Sequence, residues 1–216
     1  MVFRLDSEIS FPHPSLGEPD GLLAIGGDLS VDRLLLAYHH GIFPWYPFAE
    51  GPIQWWCPQE RFVILPRELH ISHSLRSLMR KGRYRATTNA AFDRVVTHCA
   101  EANNRHQLEG AWLGDEMKAA YGELHRLGVA HSIEVWEGDA LVGGLYGVMV
   151  NRVFAGESMF SLVPSGSKLA LVQLSRLLER MGDCLIDCQF ETPHLRSMGG
   201  RTMSYADYMA YHTLDQ

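Results

Sequence analysis

Between His131 and Ser161 the chain carries three strand-like runs with almost nothing between them, and this constrains its fold more than any other feature. His131 to Trp136 and Ala140 to Val148 flank Glu137-Gly138-Asp139, and Asn151-Arg152 turns the chain into Val153 to Ser161. Turns this short, made of Gly, Asp and Asn, join antiparallel neighbours. Ser165-Gly166-Ser167 then opens a helix with Leu171, Leu174, Leu177 and Leu178 at helical spacing. Gly182 stops it, and Cys184 to Phe190 reads as a further strand.

Upstream, the pattern predicts helices. Asp115 opens one whose Met117, Ala120, Tyr121, Leu124 and Leu127 share a side, with Gly128 at its end. Ser30 caps another, with Asp32 in its first turn, Leu34, Leu35 and Tyr38 on its apolar face, and Gly41 closing it. Ser72 is the expected cap of a helix running to Lys81, and Asn89 of one running to Glu101 with Phe92, Val95, Val96 and Cys99 inward. Ser204 with Asp207 marks a last short helix. A hairpin sheet followed by a helix and one more strand is the order of an α+β, N-acyltransferase-type (GNAT-type) domain rather than a doubly wound fold. The expected division is a small N-terminal domain over residues 1–65, with a second possible boundary at about 108, and a catalytic domain over 66–216.

With 216 residues and 46% hydrophobic content the chain buries a substantial core. Its longest apolar stretch, Ala140 to Val150, is broken by glycines and falls short of the roughly 20 residues of a membrane span. The acidic start, Met1 to Ser10, lacks the pattern of a secretory signal, so a cytoplasmic location is expected. Cys57, Cys99, Cys184 and Cys188 form no CxxC pair and read as reduced, mostly buried thiols. A net charge of -6 argues against non-specific nucleic-acid coating. One local basic cluster stands out: Arg76, Arg80, Lys81, Arg83 and Arg85. His70 and His73 have no third ligand at fitting spacing, so no metal or cofactor is expected.

Two segments have the residue types of a reaction centre. Phe154-Ala155-Gly156-Glu157-Ser158-Met159-Phe160-Ser161 sets a carboxylate in an apolar strand after a glycine that permits close approach. Asp187 and Gln189, two apart in one strand, are expected on a common face, where an acceptor and an amide together suit the handling of an amine proton. Ser165-Gly166-Ser167-Lys168 at a helix start offers N–H donors for a phosphate or ribose, or ordinary capping.

Taken in order, Gly21-Leu22-Leu23-Ala24-Ile25-Gly26-Gly27-Asp28-Leu29-Ser30, Tyr38-His39-His40-Gly41-Ile42-Phe43-Pro44-Trp45, Trp55-Trp56-Cys57-Pro58, His131 to Trp136, Gly156 to Ser161 and Asp187-Cys188-Gln189 closely resemble the leucyl/phenylalanyl-tRNA-protein transferase family. The likeness runs from about Phe11 to Gly200. It implies a bacterial enzyme moving Leu or Phe, and less efficiently Met, from tRNA to proteins that begin with Arg or Lys, creating a degradation signal. It implies Asp187, Gln189 and Glu157 as the polar catalytic set. Trp45 and Trp112 are implied as the pair around the terminal adenosine, and Leu145, Met159, Leu174 and Ile186 as the side-chain pocket. Tyr38, Phe160 and Ser167 complete the substrate set, and the cluster from Arg76 to Arg85 corresponds to the acceptor-stem patch. The chain departs from the best-known members by ending at Gln216.

An aminoacyl ester is already activated, so such an enzyme needs positioning more than a nucleophile. The rival expectations are an acyl-CoA N-acetyltransferase, for which no Gln/Arg-x-x-Gly-x-Gly/Ala loop is present, a cell-wall aminoacyltransferase, and a non-catalytic tRNA or N-terminus binding module.

Overall fold

The computed structural model describes residues 2–45, 51–104 and 114–213, with backbone alone at 103 and 104. A four-stranded sheet is built from β1 (Phe3–Leu5), β2 (Leu22–Gly26), β3 (Phe43–Pro44) and β4 (Gln54–Trp56), in the order β1-β2-β4-β3. Helix α1 (Val31–His39) connects β2 to β3. Ser30 accepts the Arg33 N–H at its start, and Gly41, at φ 67, turns the chain after it, as expected.

The second sheet has seven strands: β5 (Glu60–Ile64), β6 (Arg85–Thr88), β7 (Ala130–Glu137), β8 (Ala140–Val150), β9 (Val153–Ser161), β10 (Leu185–Asp187) and β11 (Arg201–Ser204). Their order is β11-β5-β10-β9-β8-β7-β6. The helices are α2 (His73–Arg80), α3 (Phe92–Asn104), α4 (Asp115–Arg126), α5 (Gly166–Met181), α6 (Pro193–Ser197) and α7 (Tyr205–Ala210). The hairpins β7-β8-β9 follow the sequence pattern closely. Helix α5 then carries the chain back so that β10 runs parallel to β9, the connection a parallel pair requires. Strand β5 enters this sheet antiparallel between β10 and β11, so residues 60–64 lie in the large sheet. Among the described residues no helix is long and apolar enough to cross a membrane.

Each face of the large sheet has its own apolar layer. Leu171, Leu174 and Leu178 of α5 pack with Phe62, Ile64, Leu145 and Ile186. On the other face α1, α3 and α4 bring Tyr38, Val95, Tyr121 and Leu124 against Tyr146, Val148, Ala155 and Phe160. Leu23 and Trp55 of the small sheet join that second layer, which fastens the two sheets together.

Two local readings change. Helix α3 begins at Phe92 rather than after an Asn89 cap: Asn89 sits at φ 58 and accepts the Ser132 N–H, while the buried Glu134 carboxylate accepts the N–H groups of Ala90 and Ala91. A negative charge suits this helix end. Strand β10 stops at Asp187, because Gln189 takes the left-handed φ of 63.

The register between β8 and β9 also shifts between Tyr146 and Gly147, leaving Glu157 as the extra residue of a β-bulge. A bulge re-aims side chains. Glu157 and Ser158 both face the helices, Glu157 bonding Tyr38 of α1 and Ser158 bonding Cys99 of α3. Gly147 permits this arrangement, because a Cβ there would lie 2.2 Å from the Ala155 carbonyl oxygen and 2.6 Å from Phe154 Cε1. Gly147→Ala is therefore expected to destabilise the fold by about 3 kcal/mol. Gly138→Ala, at φ 58 in open space, is expected to lose only about 1 kcal/mol. Urea denaturation of both variants checks the contrast.

Candidate active site

Glu157 is 9% exposed and its carboxylate is fully engaged. Oε1 lies 2.8 Å from the Tyr38 hydroxyl and accepts from Gln189 Nε2 at 3.2 Å, and Oε2 lies 2.7 Å from the Tyr121 hydroxyl. The two hydroxyls are themselves 2.6 Å apart. Burial pushes the Glu157 carboxyl up to about 7, the tyrosine hydroxyls opposing the shift and Asp187 adding to it. Burial likewise holds Tyr38, Tyr121 and Tyr146 well above the usual phenol range, and Glu157 reinforces it.

Asp187 is fully buried and faces another way. Its carboxylate pairs with the buried Arg61 guanidinium, through Nη2 and through Nε at 3.4 Å. It also accepts from Tyr208 Oη at 3.0 Å and from the Gln189 backbone N–H at 2.8 Å. Arg61 donates a further bond to the Gly41 carbonyl at 2.6 Å and lies over the rings of Phe43 and Tyr208. Burial works against the Arg61 charge, but Asp187 and Tyr208 together more than offset it and hold the guanidinium ionised. The expected common face for Asp187 and Gln189 is thus corrected. Asp187 fixes the backbone of Gln189, and the left-handed turn there sends the Gln189 amide to Glu157.

These groups border two adjoining hollows. One is a narrow apolar cavity of about 140 Å³, with Leu145, Met159, Leu171, Leu174 and Ile186 in its wall. The other is a wider cleft of about 580 Å³ bounded by Asp20, Trp45, Trp56 and Phe190. Glu157, Ser158, Cys188, Gln189 and Leu195 line both, so the polar pair stands where they meet. Trp45 packs edge-on to Trp56 with centroids 5.5 Å apart, and lies 5.7 Å from the Phe190 ring.

Residues 63–213 match the family model described as leucyl/phenylalanyl-tRNA protein transferase, and residues 27–59 match the model of its N-terminal domain. The chain belongs to this family. A leucyl/phenylalanyl-tRNA--protein transferase of Anaeromyxobacter sp. (strain K) is 51% identical over 97% of this chain and 89% of its own length. That of Syntrophobacter fumaroxidans is 54% identical over 94% of this chain and 86% of its own. Among solved structures, L-PGS from Bacillus licheniformis is similar with a TM-score of 0.43 and 11% identity, covering 79% of this chain and 54% of the other. Membership makes the chain an aminoacyltransferase.

The structure brings together all four residues expected for the family's side-chain pocket, Leu145, Met159, Leu174 and Ile186, with Glu157 and Gln189 beside them. Trp45 lies on the adjoining cleft, and Trp112 lies outside the described residues. Tyr38 is buried behind Glu157 as its hydrogen-bond partner. Phe160 is not in the pocket: beyond the bulge it faces the opposite layer, stacked on His98 with centroids 4.8 Å apart. Ser167 bonds Ser161 at the start of α5 and lines neither hollow. Arg76, Arg80, Lys81, Arg83 and Arg85 are exposed on and after α2. Lys81 and Arg83 border a groove of about 530 Å³ with His73 and Ser165, while Arg83 pairs with Glu137 at 2.6 Å and Arg85 lies over Trp136. Sequence reasoning missed Arg61 and Tyr208; the only signal was a charge heading the apolar run Phe62-Val63-Ile64.

Removing one partner of the Arg61–Asp187 pair leaves a buried charge alone. Arg61→Ala and Asp187→Ala are each expected to destabilise by about 3–5 kcal/mol, and the double variant by less than their sum. A double-mutant cycle in urea measures this.

Proposed function

We propose that this chain transfers Leu or Phe, and less efficiently Met, from aminoacyl-tRNA to the N-terminal Arg or Lys of acceptor proteins, forming a peptide bond and a degradation signal. It acts in the cytoplasm as a monomer, on a small N-terminal domain and a GNAT-type catalytic domain. The expected division at 65 is best drawn near 57–59, where the chain passes from β4 of one sheet to β5 of the other. The parallel β9–β10 pair joined by α5, in an otherwise antiparallel sheet, supports the GNAT-type reading.

The observation that carries the proposal is the apolar cavity opening beside Glu157 and Gln189 onto an aromatic-lined cleft. In this reading the donor side chain enters the cavity and its terminal adenosine lies along Trp45, with Trp112 as the second aromatic. The exposed cluster from Arg76 to Arg85 takes acceptor-stem phosphates. Phe160 and Ser167 have supporting rather than contact roles.

The acceptor amine attacks the ester carbonyl carbon, the C–N bond forms, and the bond to the 3′-oxygen breaks as that oxygen takes a proton from nitrogen. Holding amine and ester together supplies about 7 kcal/mol or more of the barrier. Donation of Gln189 Nε2 to Glu157 orients the amide, leaving its carbonyl oxygen to accept an amine N–H. Asp187 positions Gln189 through the backbone bond rather than touching substrate.

Incubation with labelled leucyl-tRNA, phenylalanyl-tRNA or acetyl-CoA and an Arg-start peptide tests the proposal. Label from both tRNAs should appear on the peptide. Consumption of acetyl-CoA, transfer only to a lipid-linked peptide, or binding without release of free tRNA would each favour a rival. Leu174→Phe, which narrows the cavity, is expected to lower kcat/KM for the Phe donor by at least 10-fold more than for Leu.

A further inference from the structure

The contacts around Glu157 contain a proton count that the resting carboxylate does not satisfy. Tyr38 Oη, Tyr121 Oη and the Glu157 carboxyl make three oxygen–oxygen contacts in a closed triangle, of 2.6, 2.8 and 2.7 Å. Each is as short as an O–H···O bond and needs a proton between its oxygens. A phenol supplies one proton, and burial keeps both phenols protonated, so the hydroxyls fill two contacts only. The Gln189 N–H meets Oε1 as an additional bond and fills none of the three. Tyr146 Oη, buried in the same layer, has no hydrogen-bond partner among the described residues, and Ser158 bonds Cys99, so neither fills a contact of the triangle.

We infer that Glu157 is held here as the neutral acid, closing a three-membered hydrogen-bond ring with Tyr38 and Tyr121 that stores one exchangeable proton at the cavity wall. In the ring one tyrosine donates to the other, the second donates to the carboxyl, and the carboxyl O–H donates back to the first. The groups facing Glu157 agree: Tyr38 from α1, Tyr121 from α4 and Tyr146 from β8 are neutral, and Gln189 is uncharged. Asp187 of β10, already paired with Arg61, disfavours a second negative charge nearby. Cys99 of α3 is kept a neutral thiol by burial.

What the ring does rests on the proposed transfer, although the count itself does not. A docking α-ammonium favours the carboxylate, and the stored proton leaves for solvent. The carboxylate then takes a proton from that ammonium, the ring closes, and the neutral amine attacks the ester. The second nitrogen proton departs with the 3′-oxygen, so one proton is released per turnover. Glu157 is thus a catalytic residue, and Tyr38 and Tyr121 are positioning residues that hold its proton.

Titration of the full chain carrying carboxyl-13C glutamate, with Glu157→Gln identifying the signal, tests the count without any assay of transfer. The Glu157 carbon should titrate with a midpoint of about 7, and a midpoint below about 5, in the ordinary glutamate range, overturns the inference. Tyr38→Phe and Tyr121→Phe should each displace the midpoint; an unmoved midpoint removes their positioning role. Stability supplies a second readout. A carboxyl whose folded value is raised stabilises the fold below its unfolded value, near 4.5, and loses that contribution as pH rises through about 7. Glu157→Gln keeps an N–H in the third contact at every pH. The urea midpoint of the variant should therefore gain on wild type between about pH 5 and pH 8. A difference that stays constant, or moves against the variant, contradicts the ring. Failure of either readout leaves the transfer proposal standing, and failure of transfer leaves the ring standing.

Discussion

The buried pair of Arg61 and Asp187 is the constraint on which the rest of the molecule depends. Two charges out of water are costly unless every valence is met. Here the guanidinium is met by Asp187, the Gly41 carbonyl and the rings of Phe43 and Tyr208, and the carboxylate by Arg61, Tyr208 and the Gln189 N–H. Those partners come from the end of α1, from β3, β5, β10 and α7, so a single ion pair ties the small sheet to the large one. It also explains why β5 is drawn into the larger sheet beside β10.

From that anchor the chemistry follows by backbone geometry. Asp187 holds the Gln189 N–H, Gln189 takes a left-handed turn, and its amide arrives at Glu157. Glu157 itself arrives from the other side through the bulge opposite Tyr146 and Gly147. Two irregularities in adjacent strands, a bulge in β9 and an early end to β10, aim the two polar side chains at one another. The regular parts of these two strands, with β8 beside them, supply the greasy wall: Met159, Ile186 and Leu145.

Much of this was legible in the sequence where the signal is local. The caps at Ser30, Ser72 and Ser204, the stop at Gly182 and the β7–β9 hairpins are set by neighbouring residues, and the structure reproduces them. Residue type alone singled out Glu157, since a carboxylate in an apolar strand needs a partner. What strand alternation cannot reveal is a departure from alternation. It put Asp187 and Gln189 on one face and gave no sign that Phe160 lies beyond a bulge. Tyr38 lies 119 positions from Glu157 and Arg61 lies 126 positions from Asp187, distances at which no spacing rule acts. The start of α3 escapes local rules for the same reason, since its end is satisfied by Glu134 of β7 rather than by Asn89.

The central claim is that an aminoacyl ester is read by a cavity for its side chain and an aromatic cleft for its adenosine, with Glu157 and Gln189 at the junction. Its most direct test is a crystal structure with a hydrolysis-resistant amide analogue of phenylalanyl-adenosine. The account predicts the phenyl ring among Leu145, Met159, Leu174 and Ile186, the adenine against Trp45, and the linking carbonyl next to Gln189. A ligand seated elsewhere, or a phenyl ring outside that cavity, contradicts it.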